Sequence, residues 1–245
     1  MKRSILAFAA ASSIFGAFSA PANAVDLTGN AGFVTNYIWR GADQSNGKGA
    51  AQGGLDFGAG DGALQFYAGT WLSTVEYEFI DPIENPDSDS ISGMEMDFYA
   101  GIDGEIGDFS WGLGGTYITY TDNVNPDYIE ANIALGFKWF AFDSAIGKYD
   151  NPDMKQDYVW SALSVDVNGF FGLVGYTEWE DDFVAGALGD GGYFEVGYGS
   201  TLSWEGNDLF DYSISYLYSE ADNLTANQPR NKLIFGITKN FGIVD

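Results

Sequence analysis

Alternation of apolar and polar side chains runs along most of this chain, and the helical period is almost absent. The segment 94–103 shows the alternation most clearly. One set of positions holds Met94, Met96, Phe98, Ala100 and Ile102, and the other holds Glu95, Asp97, Tyr99, Gly101 and Asp103. Because successive side chains of a strand point to opposite faces of a sheet, the pattern predicts a strand with one apolar and one polar face.

About twelve segments repeat this pattern, and each is near the ~9–11 residues that a tilted membrane-spanning strand needs. The predicted strands are 27–39, 50–58, 63–77, 91–104, 109–120, 127–137, 139–148, 157–167, 170–179, 192–203, 208–219 and 231–241. We therefore predict an all-β protein.

The connections between these strands alternate between long and short. Short turns are predicted at 58–62, 106–108, 138–139, 168–169 and 205–207, and most are rich in Gly, Asp and Asn. Longer polar segments are predicted at 40–49, 78–90, 121–126, 149–156, 180–191 and 220–230. Long external loops and short periplasmic turns are typical of outer-membrane barrels. The pattern predicts a transmembrane antiparallel up-and-down β-barrel of about twelve strands.

A soluble secreted β-sandwich or barrel also has many short alternating strands, so this alternative stays open. Acids, Ser, Gly and Thr share one face of the predicted strands, and aliphatic and aromatic residues share the other. In a single closed sheet this would give an apolar outside and a polar inside, the reverse of a soluble barrel. Aromatic residues near the strand ends, such as Trp39, Trp139 and Trp204, also favour the membrane barrel, because aromatic girdles lie at the lipid headgroups.

The N-terminus has the three parts of a secretory signal peptide. Lys2 and Arg3 precede an apolar run, and Ala22-Asn23-Ala24 forms a small-residue cleavage site. We expect residues 1–24 to be removed and 25–245 to form a single outer-membrane β-barrel domain. Beyond the signal, no apolar run reaches the ~18 residues of a membrane-spanning helix.

The chain is strongly acidic, with a formal net charge of −25 and no Cys or His. Such a charge repels nucleic acid and anionic lipid surfaces and attracts cations. The missing residue types exclude Ser-His-Asp and Cys-His catalysis. A carboxylate pair could still hydrolyse a glycoside, but close pairs are expected by chance among 35 acids. We expect no enzyme activity and no cofactor.

Four acids crowd one predicted loop: Asp81, Glu84, Asp87 and Asp89. Their spacing lacks the Gly-centred pattern of a calcium loop, so we expect a solvated acidic loop and no metal site. Bridging of lipopolysaccharide by divalent ions at this loop is the alternative.

Several short motifs resemble the TorF family of porins, first grouped as hypothetical proteins of Gram-negative bacteria. The matching positions are Tyr37-x-x-Arg40-Gly41-x-x-Gln44-Ser45, Ala51-Gln52-Gly53-Gly54-x-Asp56, Phe66-Tyr67-Ala68-Gly69-Thr70-Trp71, Glu95-x-Asp97-x-Tyr99-x-Gly101 and Tyr128-x-Glu130. The resemblance implies a bacterial outer-membrane barrel with pore activity and leaves the solute unassigned. For such a barrel we expect contacts with outer-membrane lipid and lipopolysaccharide, and insertion by the barrel-assembly machinery.

The strand alternation and the motifs together predict a set of side chains that line the lumen. The candidate pore-lining residues are Arg40, Asp43, Gln44, Asp56, Tyr67, Trp71, Glu95, Asp97, Tyr99, Glu130, Asp166, Glu195 and Asp211. Rings of carboxylates select cations. The alternative for each residue is that it only solvates and packs a narrow interior.

Arg40 is one of only two arginines beyond the signal. We predict that it ends the first strand at the outer rim and points into the lumen. There it would pair with inward acids such as Asp56 or Asp97, and Arg40, Asp43, Gln44 and Asp56 would form a gating or constriction cluster. The alternative is an interfacial arginine that snorkels to the headgroups.

These features predict a passive, cation-preferring outer-membrane channel for small hydrophilic solutes. About twelve strands place it between small barrels filled by side chains and porins of ~16 strands, so we expect a narrow pore. A non-conducting structural or adhesive barrel that binds ions or lipopolysaccharide through its acidic loops is the alternative.

Overall fold

The computed structural model describes residues 24–61, 63–78, 90–152, 154–180, 190–220 and 231–244. The signal peptide except for Ala24, and the acidic loop between Asp81 and Asp89, lie outside these described residues. Within them, no helix combines the length and the apolar character needed to cross a bilayer.

Twelve strands form one closed antiparallel barrel, and two shorter strands form a separate hairpin. The strands are β1 (Ala24–Val34), β2 (Ile38–Trp39), β3 (Ala42–Asp43), β4 (Ala50–Asp61), β5 (Leu64–Glu78), β6 (Ser90–Ile106), β7 (Phe109–Tyr120), β8 (Asp127–Phe137), β9 (Phe140–Asn151), β10 (Met154–Val167), β11 (Phe170–Trp179), β12 (Gly191–Trp204), β13 (Asn207–Ser219) and β14 (Asn231–Val244). A short 3-10 turn lies at Thr121–Asn123. This architecture confirms the predicted fold class.

The barrel is closed by β1, which pairs with β4 on one side and with β14 on the other. Val34 is the register partner of Gly236 in β14 and of Ala50 in β4. Every barrel strand therefore has two neighbours. Closure leaves no unpaired strand edge, which a sheet in hydrocarbon cannot tolerate.

The outer face of the barrel is apolar. Leu113 on β7 pairs in register with Ile102 on β6 and with Ile133 on β8, and Leu113 is 47% exposed. The alternate residues point inward, and Glu130 and Asn132 of β8 are buried. A barrel with this polarity presents its outer band to lipid hydrocarbon, not to water.

Aromatic side chains mark both ends of this band. At the end with the tight turns, Phe109, Phe137 and Phe140 are consecutive register partners, and all three are exposed. At the other end, the rings of Phe194 and Tyr218 stack at a centroid distance of 5.6 Å. These positions correspond to the two headgroup levels of a membrane barrel.

Two predictions about the connections are wrong. The predicted loop 149–156 is absent, because β9 continues to Asn151 and β10 already begins at Met154. Inward and outward side chains continue to alternate through this segment, and Tyr149 and Gln156 are among those buried inside the barrel. The predicted first strand, 27–39, ends at Val34, and the segment after it folds into the barrel instead of forming an external loop.

The lipid-facing band predicts a depth-dependent cost of charge. Leu113→Arg, at the middle of the band, should lower the free energy of unfolding by about 2–4 kcal/mol in lipid vesicles. Ile106→Arg is the matched control, because Ile106 is 72% exposed beside a tight turn. There the same charge should cost about 0–1 kcal/mol. Equal costs at the two positions, measured by urea titration, would contradict the membrane orientation.

Candidate functional site

A hairpin folds into the barrel from the end of β1. Its strands, β2 and β3, are joined by Arg40 and Gly41, whose φ angles are +51° and +86°. Positive φ at both central residues is the geometry of a two-residue hairpin turn of type I′. Tyr37 is 1% exposed and Arg40 is 5% exposed, so the hairpin is enclosed by the barrel wall. We call residues 36–45 the inward hairpin.

The turn of the inward hairpin requires glycine at position 41. A Cβ atom there would lie 2.7 Å from the Ser219 hydroxyl oxygen and 3.0 Å from the Cβ atom of Tyr193. The positive φ angle adds backbone strain for any other residue. Gly41 therefore lets the hairpin tip approach β12 and β13 closely.

Asp43 holds the inward hairpin in shape. One carboxylate oxygen accepts hydrogen bonds from the Asn36 side chain and from the Ser45 backbone N–H, both at 2.9 Å. The other accepts one from the Gly47 N–H at 3.0 Å, and the Lys232 ammonium lies 2.7 Å from it. The last contact ties the hairpin to β14, so Asp43 serves both the local fold and its docking.

Arg40 at the tip makes a bidentate ion pair with Glu130. The two terminal nitrogens donate to the two carboxylate oxygens at 2.5 and 3.0 Å. Tyr158 and Asn132 also donate to this carboxylate. Glu130 lies on β8, five strands from β1 around the barrel, so the pair spans the lumen. Bidentate arginine–carboxylate pairs are among the strongest hydrogen-bonded contacts in proteins.

The Arg40 guanidinium also lies between two indole rings. Its central carbon is 4.5 Å from the ring centroid of Trp39 and 4.3 Å from that of Trp160. Cations over aromatic faces gain more when they are desolvated, as here. Burial lowers the pKa of Arg40 and the neighbouring Glu130 carboxylate raises it, and the net direction is upward. The guanidinium is therefore a fixed positive charge.

Two further carboxylates lie beside the hairpin on β6. Glu95 is 2% exposed and accepts a hydrogen bond from the Tyr37 hydroxyl at 2.5 Å. Asp97, two residues along the same face, is 6% exposed, and its Oδ1 has no hydrogen-bond partner among the described residues. The lumen around the inward hairpin thus contains a tightly bound cation, Arg40, and two carboxylates without a direct ion pair among the described residues.

Aromatic rings fill the lumen around the inward hairpin. The Tyr128 ring lies 5.4 Å from that of Trp39 and 4.9 Å from that of Tyr149, and Trp179 lies 4.6 Å from Tyr158. All five side chains are buried or partly buried. In the half of the barrel away from the tight turns, the wall and the hairpin therefore pack directly on each other.

The structure corrects the predicted partners of Arg40. The pairing with Asp56 or Asp97 is wrong, because the guanidinium binds Glu130. Asp56 instead accepts a hydrogen bond from Tyr99. The physical reason is that β1 ends early, which carries Arg40 off the wall and across the lumen.

The remaining candidate pore-lining residues lie at different heights in the barrel. Gln44 accepts a hydrogen bond from the Tyr77 hydroxyl at 2.6 Å, and the Trp71 ring lies 5.4 Å from Tyr37. Tyr67 and Glu195 are buried, on β5 and β12. Asp166 and Asp211 are half-buried and lie near the tight turns, on β10 and β13. Asp211 binds Thr201 at 2.5 Å.

Sequence reasoning missed three partners in the site: Trp160 as a clamp on Arg40, Tyr158 on Glu130, and Lys232 on Asp43. Trp160 and Tyr158 lie at inward-facing positions of their strand. The alternation of side chains alone does not reveal which residues they contact across the lumen. Within the described ranges, no group of three or more His, Cys, Asp or Glu side chains could hold a metal ion.

Comparison with known proteins gives a family and a fold. A family model described as "Bacterial protein of unknown function (Gcw_chp)" matches residues 19–186, and no curated protein matches. The chain is similar to a structure described as "Unveiling the Mechanism Behind the in-meso Crystallization of Membrane Proteins", with 11% identity, coverage of 89% of this chain and 84% of that chain, and a TM-score of 0.55. This likeness supports the barrel fold.

Two other solved structures are less similar in fold. One is "Salmonella typhi OmpF complex with Daunomycin", with 11% identity, coverage of 89% of this chain and 98% of that chain, and a TM-score of 0.41. The other is "Crystal Structure of the outer membrane protein opdK from Pseudomonas aeruginosa", with 10% identity, coverage of 89% and 98%, and a TM-score of 0.38.

The buried ion pair predicts an asymmetric mutational response. Arg40→Met leaves the Glu130 carboxylate buried without its partner and should cost about 3–5 kcal/mol of unfolding free energy. The double variant Arg40→Met, Glu130→Met should recover part of that loss. Lys48→Met is the control, because the Lys48–Glu76 pair is exposed on the lysine side and such pairs contribute about 0–1 kcal/mol. The site assignment is wrong if Arg40→Met costs no more than Lys48→Met.

Proposed function

We propose that this chain, which belongs to the Gcw_chp family of bacterial proteins of unknown function, is a narrow outer-membrane channel. It passes small hydrophilic solutes by passive diffusion and prefers cations. The resemblance to TorF porins and the apolar outer band support this proposal, and the predicted signal peptide agrees with export to the outer membrane. Outer-membrane lipid and lipopolysaccharide are then its surroundings, and the barrel-assembly machinery inserts it.

The observation that carries the cation preference is the charge of the lumen. Five carboxylates are buried among the described residues, on Asp43, Glu95, Asp97, Glu130 and Glu195. Arg40 binds one of them and Lys232 another, so the acids remain in excess. An excess of fixed carboxylates in a narrow, poorly hydrated passage attracts cations and repels anions.

The inward hairpin is the natural constriction of this channel. It occupies the lumen at the height of Glu95 and Glu130, where the wall residues around it are buried. Near the tight turns, inward residues such as Asp166 and Asp211 are only half-buried. We infer a wider vestibule on the turn side and a selective, closable segment at the hairpin.

The second candidate function is a non-conducting structural or adhesive barrel. The observation that favours it is the close packing around the hairpin, where Tyr37 is 1% exposed and the Arg40 guanidinium lies between two indole rings. In that case the acidic lumen would only stabilise the wall. Neither candidate function is catalytic.

Planar-bilayer recording separates the two functions. In a KCl gradient, we expect discrete conductance and a reversal potential that favours K⁺ over Cl⁻. The variant Glu95→Gln, Glu195→Gln removes two lumen carboxylates that have no ion-pair partner among the described residues, and it should shift the reversal potential towards zero. Asp108→Asn is the control, because Asp108 lies exposed in a tight turn and its loss should leave selectivity unchanged. Silence of the wild-type barrel at every voltage would favour the non-conducting candidate.

Replacement of the inward hairpin tests its role as the constriction. Val34 and Ala50 are register partners, so a short Asn-Gly turn can join β1 to β4 directly in place of the residues between them. We expect conductance to rise several-fold and cation preference to weaken, because the lumen widens. Heat-modifiable mobility in gels confirms that the barrel still forms. Conductance equal to that of the wild type would show that the constriction lies elsewhere.

A further inference from the structure

Asp97 is a buried carboxylate with an unpartnered oxygen. The residue is 6% exposed, and its Oδ1 has no hydrogen-bond partner among the described residues. It points into the lumen from β6, and its register partners on the neighbouring strands are Trp71 and Ile118. Large, mainly apolar side chains therefore flank it on both sides, and they solvate its charge poorly.

The cationic groups of the lumen are engaged elsewhere. Arg40 is bound to Glu130 through both of its terminal nitrogens. Lys232 is bound to Asp43. In the part of the chain that the structure describes, neither Glu95 nor Asp97 has an ion-pair partner. Arg40 acts on both carboxylates only at a distance, so the acidic pair lacks a direct ion-pair partner of its own among these residues.

Glu95 and Asp97 share one face of β6, since they are two residues apart on a strand. Tyr37 donates a neutral hydroxyl hydrogen bond to Glu95, and no such donor reaches Asp97 Oδ1. A buried carboxylate oxygen without a hydrogen bond or a direct ion pair is costly, because nothing replaces the water that solvated it. A bound ligand that supplies positive charge at Oδ1 removes this cost.

We infer that Asp97 and Glu95 form a binding site for a small monovalent cation, such as K⁺ or Na⁺, in the lumen of the barrel. Oxygen ligands from carboxylates suit these hard cations. A divalent ion fits less well, because no group of three or more acidic, His or Cys ligands exists within the described residues. The role of this site, as the point where a permeating cation is held, rests on the proposed channel function, but binding can be tested without conduction.

Thermal unfolding of the mature barrel in detergent micelles tests the binding. The melting temperature should be higher in KCl than in choline chloride of equal ionic strength, because K⁺ coordinates carboxylate oxygens and the methylated ammonium of choline does so poorly. Asp97→Asn should abolish this difference. Asp108→Asn changes the net charge equally in an exposed turn and should keep it. The site is refuted if the wild type shows no K⁺-dependent shift, or if Asp97→Asn shows the same shift.

A second measurement locates the ion without any substitution. In crystals of the wild-type barrel grown with RbCl, we expect an anomalous scattering peak within coordination distance of Asp97 Oδ1. The absence of a peak there would overturn the inference. So would an infrared carbonyl band of a protonated carboxyl group that disappears in Asp97→Asn, since a proton would then supply the missing charge.

The two proposals fail separately. A barrel that conducts cations but shows no rubidium peak at Asp97 retains the channel function and loses this site. A barrel that binds rubidium at Asp97 but never conducts retains the site and loses the channel function.

Discussion

The pairing of β1 with both β4 and β14 is the constraint on which the rest of this molecule depends. It closes the ring of backbone hydrogen bonds, so no strand edge needs water. Because the backbone is fully paired, the outer face can present residues such as Leu113 and Ile133 to lipid. The same closure also separates the lumen from the hydrocarbon, which lets the inner face hold charged groups at all.

Within that closed wall, the inward hairpin determines the character of the lumen. Arg40 reaches across to Glu130 on β8, and Asp43 binds Lys232 on β14, so the hairpin is attached at two separate sites on the wall. Removing a buried ion-pair partner is costly, whereas replacing a whole pair with apolar residues is often tolerated. The ion pairs therefore serve mainly to hold the hairpin in one position. The acids that they leave unpaired are the basis of both proposals.

Much of the barrel is predictable from the sequence, because a strand with lipid on one side and the lumen on the other must alternate apolar and polar side chains. The predicted segments 127–137 and 170–179 coincide with β8 and β11. The end of β1 at Val34 is not predictable in this way, because an inward hairpin also alternates and only its contacts with the opposite wall distinguish it. The prediction of the Arg40 partner fails for the same reason. Asp56 and Glu130 both lie on inward-facing positions of their strands, so the alternation cannot distinguish them. Which carboxylate Arg40 meets depends on the geometry across the barrel.

In each of the twelve barrel strands, one face meets lipid while the other encloses a charged lumen. Because the native chain has no cysteine, single-Cys variants along β8 can carry nitroxide labels one at a time. In lipid vesicles, labels at Ile129, Ile133 and Leu135 should collide mainly with oxygen, and labels at Asn132 and Ala134 should be shielded from it. We therefore expect oxygen accessibility to rise and fall with a two-residue period along β8. Accessibility to a water-soluble relaxation reagent at all five positions, without that period, would contradict it.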